Sequence, residues 1–86
     1  MDISVVGVSM NPTLFEKDII TVKKFEDYDI GDILVFTYKL GELLVHRLLK
    51  KSDHQYFCKG DNSFRLEDIT KDQIAGKVIR LNHREM

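Results

Sequence analysis

The sequence predicts a small all-β barrel or sandwich of about six strands. Three observations carry that expectation. The apolar residues gather in short runs rich in β-branched side chains, Gly, Asp and Asn mark turns between the runs, and the runs recur at near-regular spacing.

The first run, Ile3 to Val8, is β-branched and gives way to a turn around Gly7 and Ser9. Pro12, the only proline, follows it and suits a bend better than a strand interior. Ile19 to Val22 is a second short run, bounded by Lys17-Asp18 and Lys23-Lys24. Gly31-Asp32 is a turn signal that leads into Ile33 to Phe36. Tyr38 to Glu42 reads as the hairpin connection to a fourth strand. That strand opens with Leu43-Leu44-Val45 and continues through His46, Arg47, Leu48 and Leu49. Tyr56 to Cys58 runs into the turn Gly60-Asp61-Asn62. Leu66 to Ile74 has room for a short helical or 3₁₀ turn, and Val78-Ile79, after Gly76, is the last strand. Repeats, low-complexity stretches and linkers are not evident.

Eighty-six residues make one domain, 1–86, and a chain this short hides only about 60–65% of its unfolded surface. With 43% apolar and 31% charged residues it has the balance of a folded globular chain. A net charge of −1 leaves no electrostatic footprint for nucleic acid. Cys58 is the only cysteine, so neither an intrachain disulfide nor a multi-cysteine zinc site is expected, and a small core hydrophobe is its ordinary role. No run of about 18 apolar residues spans a bilayer, and Ile3 to Val8 is too short for a signal peptide. The expected setting is cytoplasmic if the chain is complete, and membrane-associated if it was cut from an anchored parent.

Three local patterns could carry chemistry. In Gly7-Val8-Ser9-Met10-Asn11-Pro12, a serine at a strand end sits where its hydroxyl can be exposed and its backbone N–H left free. A plain strand-to-loop turn explains the same residues. In Val45-His46-Arg47, period-2 alternation puts His46 with Leu44 and Leu48 on one face and Arg47 with Val45 and Leu49 on the other. A partly desolvated imidazole suits a general base, although a packing histidine is the commoner case. Arg47 then needs a carboxylate or solvent. In Lys59-Gly60-Asp61-Asn62-Ser63, followed by Glu67-Asp68, an acid could orient His46; an Asx-turn is the competing reading.

Taken in order, these patterns resemble the ordered boxes of type I signal peptidases: Ser9 to Leu14, Asp18, Gly31 to Phe36, Val45 to Arg47, Lys59 to Asn62, and Gly76 to Val78. The resemblance covers the chain from Gly7 to about Val78. It implies a core of coiled antiparallel sheet, shared with the LexA-like S24/S26 serine peptidases, and cleavage of a leader or signal peptide from a precursor by a serine endopeptidase. The strand position that holds lysine in bacterial members holds His46 here, as in the ER and archaeal branch. By resemblance Ser9 is the nucleophile, His46 the general base, and the Ser9 N–H one oxyanion donor. Gly7 cannot supply a second, side-chain donor. Asp61 matches the acid of the Gly-Asp-Asn turn. A second acid a few residues on matches Asp68 or Glu67; Asp61 could do structural work while that later acid orients His46, and the catalytic set carried forward is Ser9, His46, Asp61 and Asp68. No cofactor or metal is implied.

The expected partner is a precursor peptide bound as an extended strand beside the Ser9 segment, with Ile3, Val5, Gly7 and the Ile33 to Phe36 strand as candidate pocket walls, although core packing is the favoured reading for Val5, Ile33 and Val35. Nucleic acid is not expected, and contact with membrane is expected only through an anchor outside these residues. Self-cleaving repressors related to LexA share the Ser-Met turn but use lysine and carry a helix-turn-helix domain. His46 and the lack of such a domain in these residues favour the peptidase. The competing classes are a non-catalytic peptide-binding relative and a structural β module.

Overall fold

Ile33-Leu34-Val35-Phe36 has no polar alternation, and the fold shows why: the strand is buried on both faces. In the computed structural model, which describes residues 1–86, Ile33 and Val35 join one apolar cluster while Leu34 and Phe36 join another. Eight strands form one antiparallel sheet: β1 (Asp2–Ser4), β2 (Ile19–Lys23), β3 (Ile33–Thr37), β4 (Leu43–Lys51), β5 (Tyr56–Lys59), β6 (Leu66–Ile69), β7 (Ile74–Leu81) and β8 (Arg84–Glu85). The strand order is β1-β2-β7-β3-β4-β5-β6, and β8 pairs β7. Irregular register in β2–β7, β3–β7 and β4–β5 bends the strands, as bulges do, and the sheet coils around its two clusters.

The first cluster holds Val5, Met10, Leu14, Ile20, Val22, Ile33, Val35 and Val78. The second holds Tyr28, Leu34, Phe36, Leu48, Tyr56, Cys58, Ile69 and Ile74. β3 lies between β7 and β4, which pair both its edges, while the two clusters cover its two faces, as an uninterrupted apolar strand requires. β4 alternates instead. His46 and Leu48 are buried, with Leu44 packing on the second cluster and Val45 on the first.

Three elements depart from the sequence reading. The run Ile3 to Val8 is a strand only at its start: Val5 bonds with Asp18 and Lys17, and the chain then leaves the sheet at Gly7, whose φ of +85° suits glycine. The stretch Leu66 to Ile74 does hold a 3₁₀ turn, at Lys71–Gln73, but the residues before it, Leu66 to Ile69, form a strand that was not expected. Asn82 and His83, both at positive φ, make the tight turn that adds β8. No helix is long and apolar enough to cross a membrane.

Two exposed or half-buried acids fasten loops to this sheet. Asp27 accepts hydrogen bonds from the Tyr56 hydroxyl (2.7 Å), the Tyr28 N–H (2.8 Å) and the Lys51 ammonium (3.1 Å). Led by the Tyr56 hydroxyl, these donors hold its carboxyl well below the usual carboxylate range, while the same bond, with burial, pushes Tyr56 up to about 12. Asp61 is held low chiefly by its hydrogen bonds from Arg47. Depressed carboxylates stabilise the fold above their unfolded values, near 4, and that stabilisation is lost as pH falls through the folded values. The raised tyrosine works in the opposite sense. Its contribution is complete below about pH 10 and is lost as pH rises towards its folded value. Urea midpoints are therefore expected to be flat between about pH 5 and 9 and to fall on both sides. The acid limb should shrink in an Asp27→Asn, Asp61→Asn protein, and an unchanged acid limb in that variant would contradict this assignment.

Candidate active site

Ser9 stands at the entry to a compact turn that the core pins in place. Met10 and Leu14, just after it, are 2% and 0% exposed, and the turn closes through Asn11 N–H to Val8 O and Leu14 N–H to Met10 O. Buried neighbours fix the backbone, so the Ser9 side chain is aimed rather than free. The backbone N–H groups of Ser9 and Met10 have no partner within the chain.

His46 comes from the middle of β4. Its ring lies edge-on to Phe36, with centroids 6.2 Å apart. The residue is 3% exposed. Nε2 lies 2.9 Å from Ser9 Oγ, and Nδ1 lies 2.6 Å from Glu67 Oε1. Glu67 is completely buried, and its other oxygen accepts a hydrogen bond from Arg65 Nε at 2.8 Å. The hydroxyl, ring and carboxylate thus form one hydrogen-bonded line, in which a ring nitrogen can take the serine proton while the carboxylate stabilises the resulting cation.

Neither Asp61 nor Asp68 stands behind the ring, and Asp61 takes the structural role left open for it. Asp61 accepts two hydrogen bonds from Arg47, at 2.9 and 2.8 Å, and one from the Thr13 hydroxyl at 2.5 Å. It is the carboxylate that Arg47 needs on the far face of β4. Asp68 is exposed, because β6 alternates: Glu67 and Ile69 point inwards, Leu66 and Asp68 outwards. The acid on His46 is therefore Glu67. A signal for it was present, since Ile69 has to face the core and residue 67 shares its side of a strand; reading the segment as a helical turn hid that parity.

The Gly-Asp-Asn turn seats the serine rather than the histidine. Asn62 donates its backbone N–H to Ser9 O at 2.7 Å and its side-chain amide to Val8 O at 3.1 Å. Gly60 makes the approach possible. A Cβ there would fall 2.5 Å from Ser9 O, closer than a side chain tolerates, and would crowd His46 Nε2 at 3.0 Å. Cys58, opposite Glu67 on β5, is fully buried. Burial, reinforced by the Glu67 charge, pushes its thiol up to about 12, which makes it a poor nucleophile.

A cleft of about 220 Å³ opens beside Ser9, between the segment Ile3 to Gly7 and the first half of β4, Leu43 to His46. Ile3, Val5 and Gly7 line it, and β4 supplies the other wall; Ile33 and Val35 stand in the core, the role favoured for them, and Val5 serves both core and cleft. A larger cleft of about 450 Å³, lined by Phe25, Arg47 and Lys77 among others, includes none of Ser9, His46 and Glu67. Along β4 the N–H and C=O of successive residues point to opposite sides. Leu48 exchanges hydrogen bonds with Gly31 and Asp32 on the β3 side. Leu43 and Val45, an odd number of residues away, direct theirs to the other side, which β5 covers only from Arg47 onwards. The cleft thus has a free strand edge on its β4 wall.

A coiled β sheet carrying a buried Ser–His–Glu line next to an open strand edge defines the class of serine-peptidase-like folds. The Peptidase S24-like family model matches residues 2–79, and the chain belongs to that family. The LexA repressor of Leuconostoc mesenteroides subsp. mesenteroides is 34% identical over 80 residues, which cover 92% of this chain and 38% of the repressor. The chain thus spans little more than a third of the length of that curated relative. No solved structure matches it.

Proposed function

We propose that this chain is a serine endopeptidase of the signal peptidase type, which cleaves a leader or signal peptide from a precursor held in the Ser9 cleft. The observation that supports this best is the Ser9–His46–Glu67 line, with 2.9 and 2.6 Å between its members. The peptide lies extended along the free edge of β4 and pairs with the main chain of Leu43 and Val45. Ser9 Oγ attacks the scissile carbonyl while His46 Nε2 takes its proton. Glu67 keeps the ring oriented and stabilises its charge. The Ser9 N–H donates to the oxyanion. His46 then returns the proton to the leaving amine, and an acyl-enzyme remains on Ser9 until water, activated by the same ring, releases it.

The test is incubation of the purified chain with a library of leader peptides, read by mass spectrometry, alongside labelling by a fluorophosphonate. Cleavage at a defined bond and labelling at Ser9 are expected. If neither occurs, the chain is a peptide-binding relative that lacks turnover. The likeness to a LexA repressor favours a second reading, in which the cleft acts within one polypeptide in the manner of a self-cleaving repressor. Cleavage in a longer parent that is first-order and independent of protein concentration would support that reading. Saturable cleavage of separate peptides supports the first.

A further inference from the structure

Building on the peptidase reading, we propose that Arg65 is a positioning residue of the Ser9 site, fixing the Glu67 carboxylate from a mount on the β3–β4 turn. Glu67 has only two polar partners, the His46 ring on Oε1 and the Arg65 guanidinium on Oε2. A carboxylate this deeply buried is costly to keep charged unless both oxygens are satisfied. Arg65 supplies the positive charge and, through its Nε–H bond to Oε2, fixes that oxygen and with it the direction in which Oε1 faces the ring. The guanidinium is itself held. It lies over the Tyr38 ring, 5.5 Å from the centroid, and 3.9 Å from Glu42. Tyr38 and Glu42 flank the 3₁₀ turn that leads into the cleft wall at Leu43. The Arg65 side chain is 55% exposed, so it adds little to the core and can be removed without opening it. It acts on the reaction only through Glu67.

The test uses Arg65→Ala and Arg65→Lys proteins. With a peptide substrate, Arg65→Ala should lower kcat about ten- to a hundredfold, the range for losing one charge-assisted hydrogen bond, and leave KM unchanged. Arg65→Lys should recover part of the loss. Because the position is open to solvent, millimolar guanidine should restore the alanine variant saturably and leave a Glu67→Gln protein unaffected. A second measurement needs no turnover. The His46 Nδ1–H proton should give a sharp, strongly downfield NMR signal in the parent, lose it in Arg65→Ala, and regain it with guanidine. If the parent cleaves no peptide, the peptidase reading falls, and this signal alone decides the role of Arg65. A parent-like signal in Arg65→Ala overturns the proposal, as does a loss of kcat that guanidine does not repair.

Discussion

Replacing Ser9 by alanine is expected to reduce peptide cleavage about a millionfold, replacing His46 to do the same, and replacing both to do no more. The reason is the direct contact between Ser9 Oγ and His46 Nε2. Without the hydroxyl there is nothing to acylate. Without the ring the hydroxyl keeps its proton and is a weak nucleophile. Two groups that perform one step together are not additive, so the double variant is the informative protein. Losses that multiply would mean that Ser9 and His46 act independently. The Ser9→Ala chain should still bind substrate, because the main-chain edge of Leu43 and Val45 is untouched. Calorimetric titration of that variant with the peptide would measure affinity without turnover.

Glu67→Gln should lower kcat about ten-thousandfold, and Asp68→Asn should leave it unchanged. A glutamine at 67 has no good orientation. With its oxygen towards His46 Nδ1, its amino group meets the Arg65 Nε–H, donor against donor. With the amide reversed, its N–H₂ faces Nδ1 and forces the ring proton onto Nε2, where it cannot accept from Ser9. Asp68 is exposed on the other side of β6 and touches none of these atoms. Steady-state kinetics of the two variants side by side would settle which acid serves the ring. An Asp68→Asn protein as impaired as Glu67→Gln would remove Glu67 from its place.

Much of the architecture was legible because its strands obey simple rules. β2, β3 and β5 begin where apolar runs begin, and Gly31-Asp32 and Gly60-Asp61-Asn62 do mark turns. The alternation around His46 also put the ring on the same face as Leu48 and turned Arg47 away from it. What escaped was the part whose local signal is ambiguous. Leu66-Glu67-Asp68-Ile69 is half acidic and pairs with β5, so its strand character comes from a partner rather than from its own residues. β8 is two residues long and rests on the Asn82-His83 turn. Segment 5–8 looks like a strand, yet the structure uses it as the rim of a cleft. Choosing among Asp61, Glu67 and Asp68 required knowing which way residue 67 points. Strand parity decides that, and parity is invisible until the segment is recognised as a strand.

The groups of the site come from positions 9, 46 and 67, and the turn that seats the serine comes from positions 60 to 62. Ser9 therefore leaves the ribosome before the turn that seats it, and Glu67 follows both. β4 and β5 must pair, β6 must add at the edge, and Asn62 must reach back to Ser9 before the three groups meet. A chain synthesised as far as Asn62 carries Ser9 and His46 but lacks Glu67, the acid on the ring. The long separation along the chain thus makes the hydrogen-bonded line a late product of folding: it cannot close until β6 has joined the sheet.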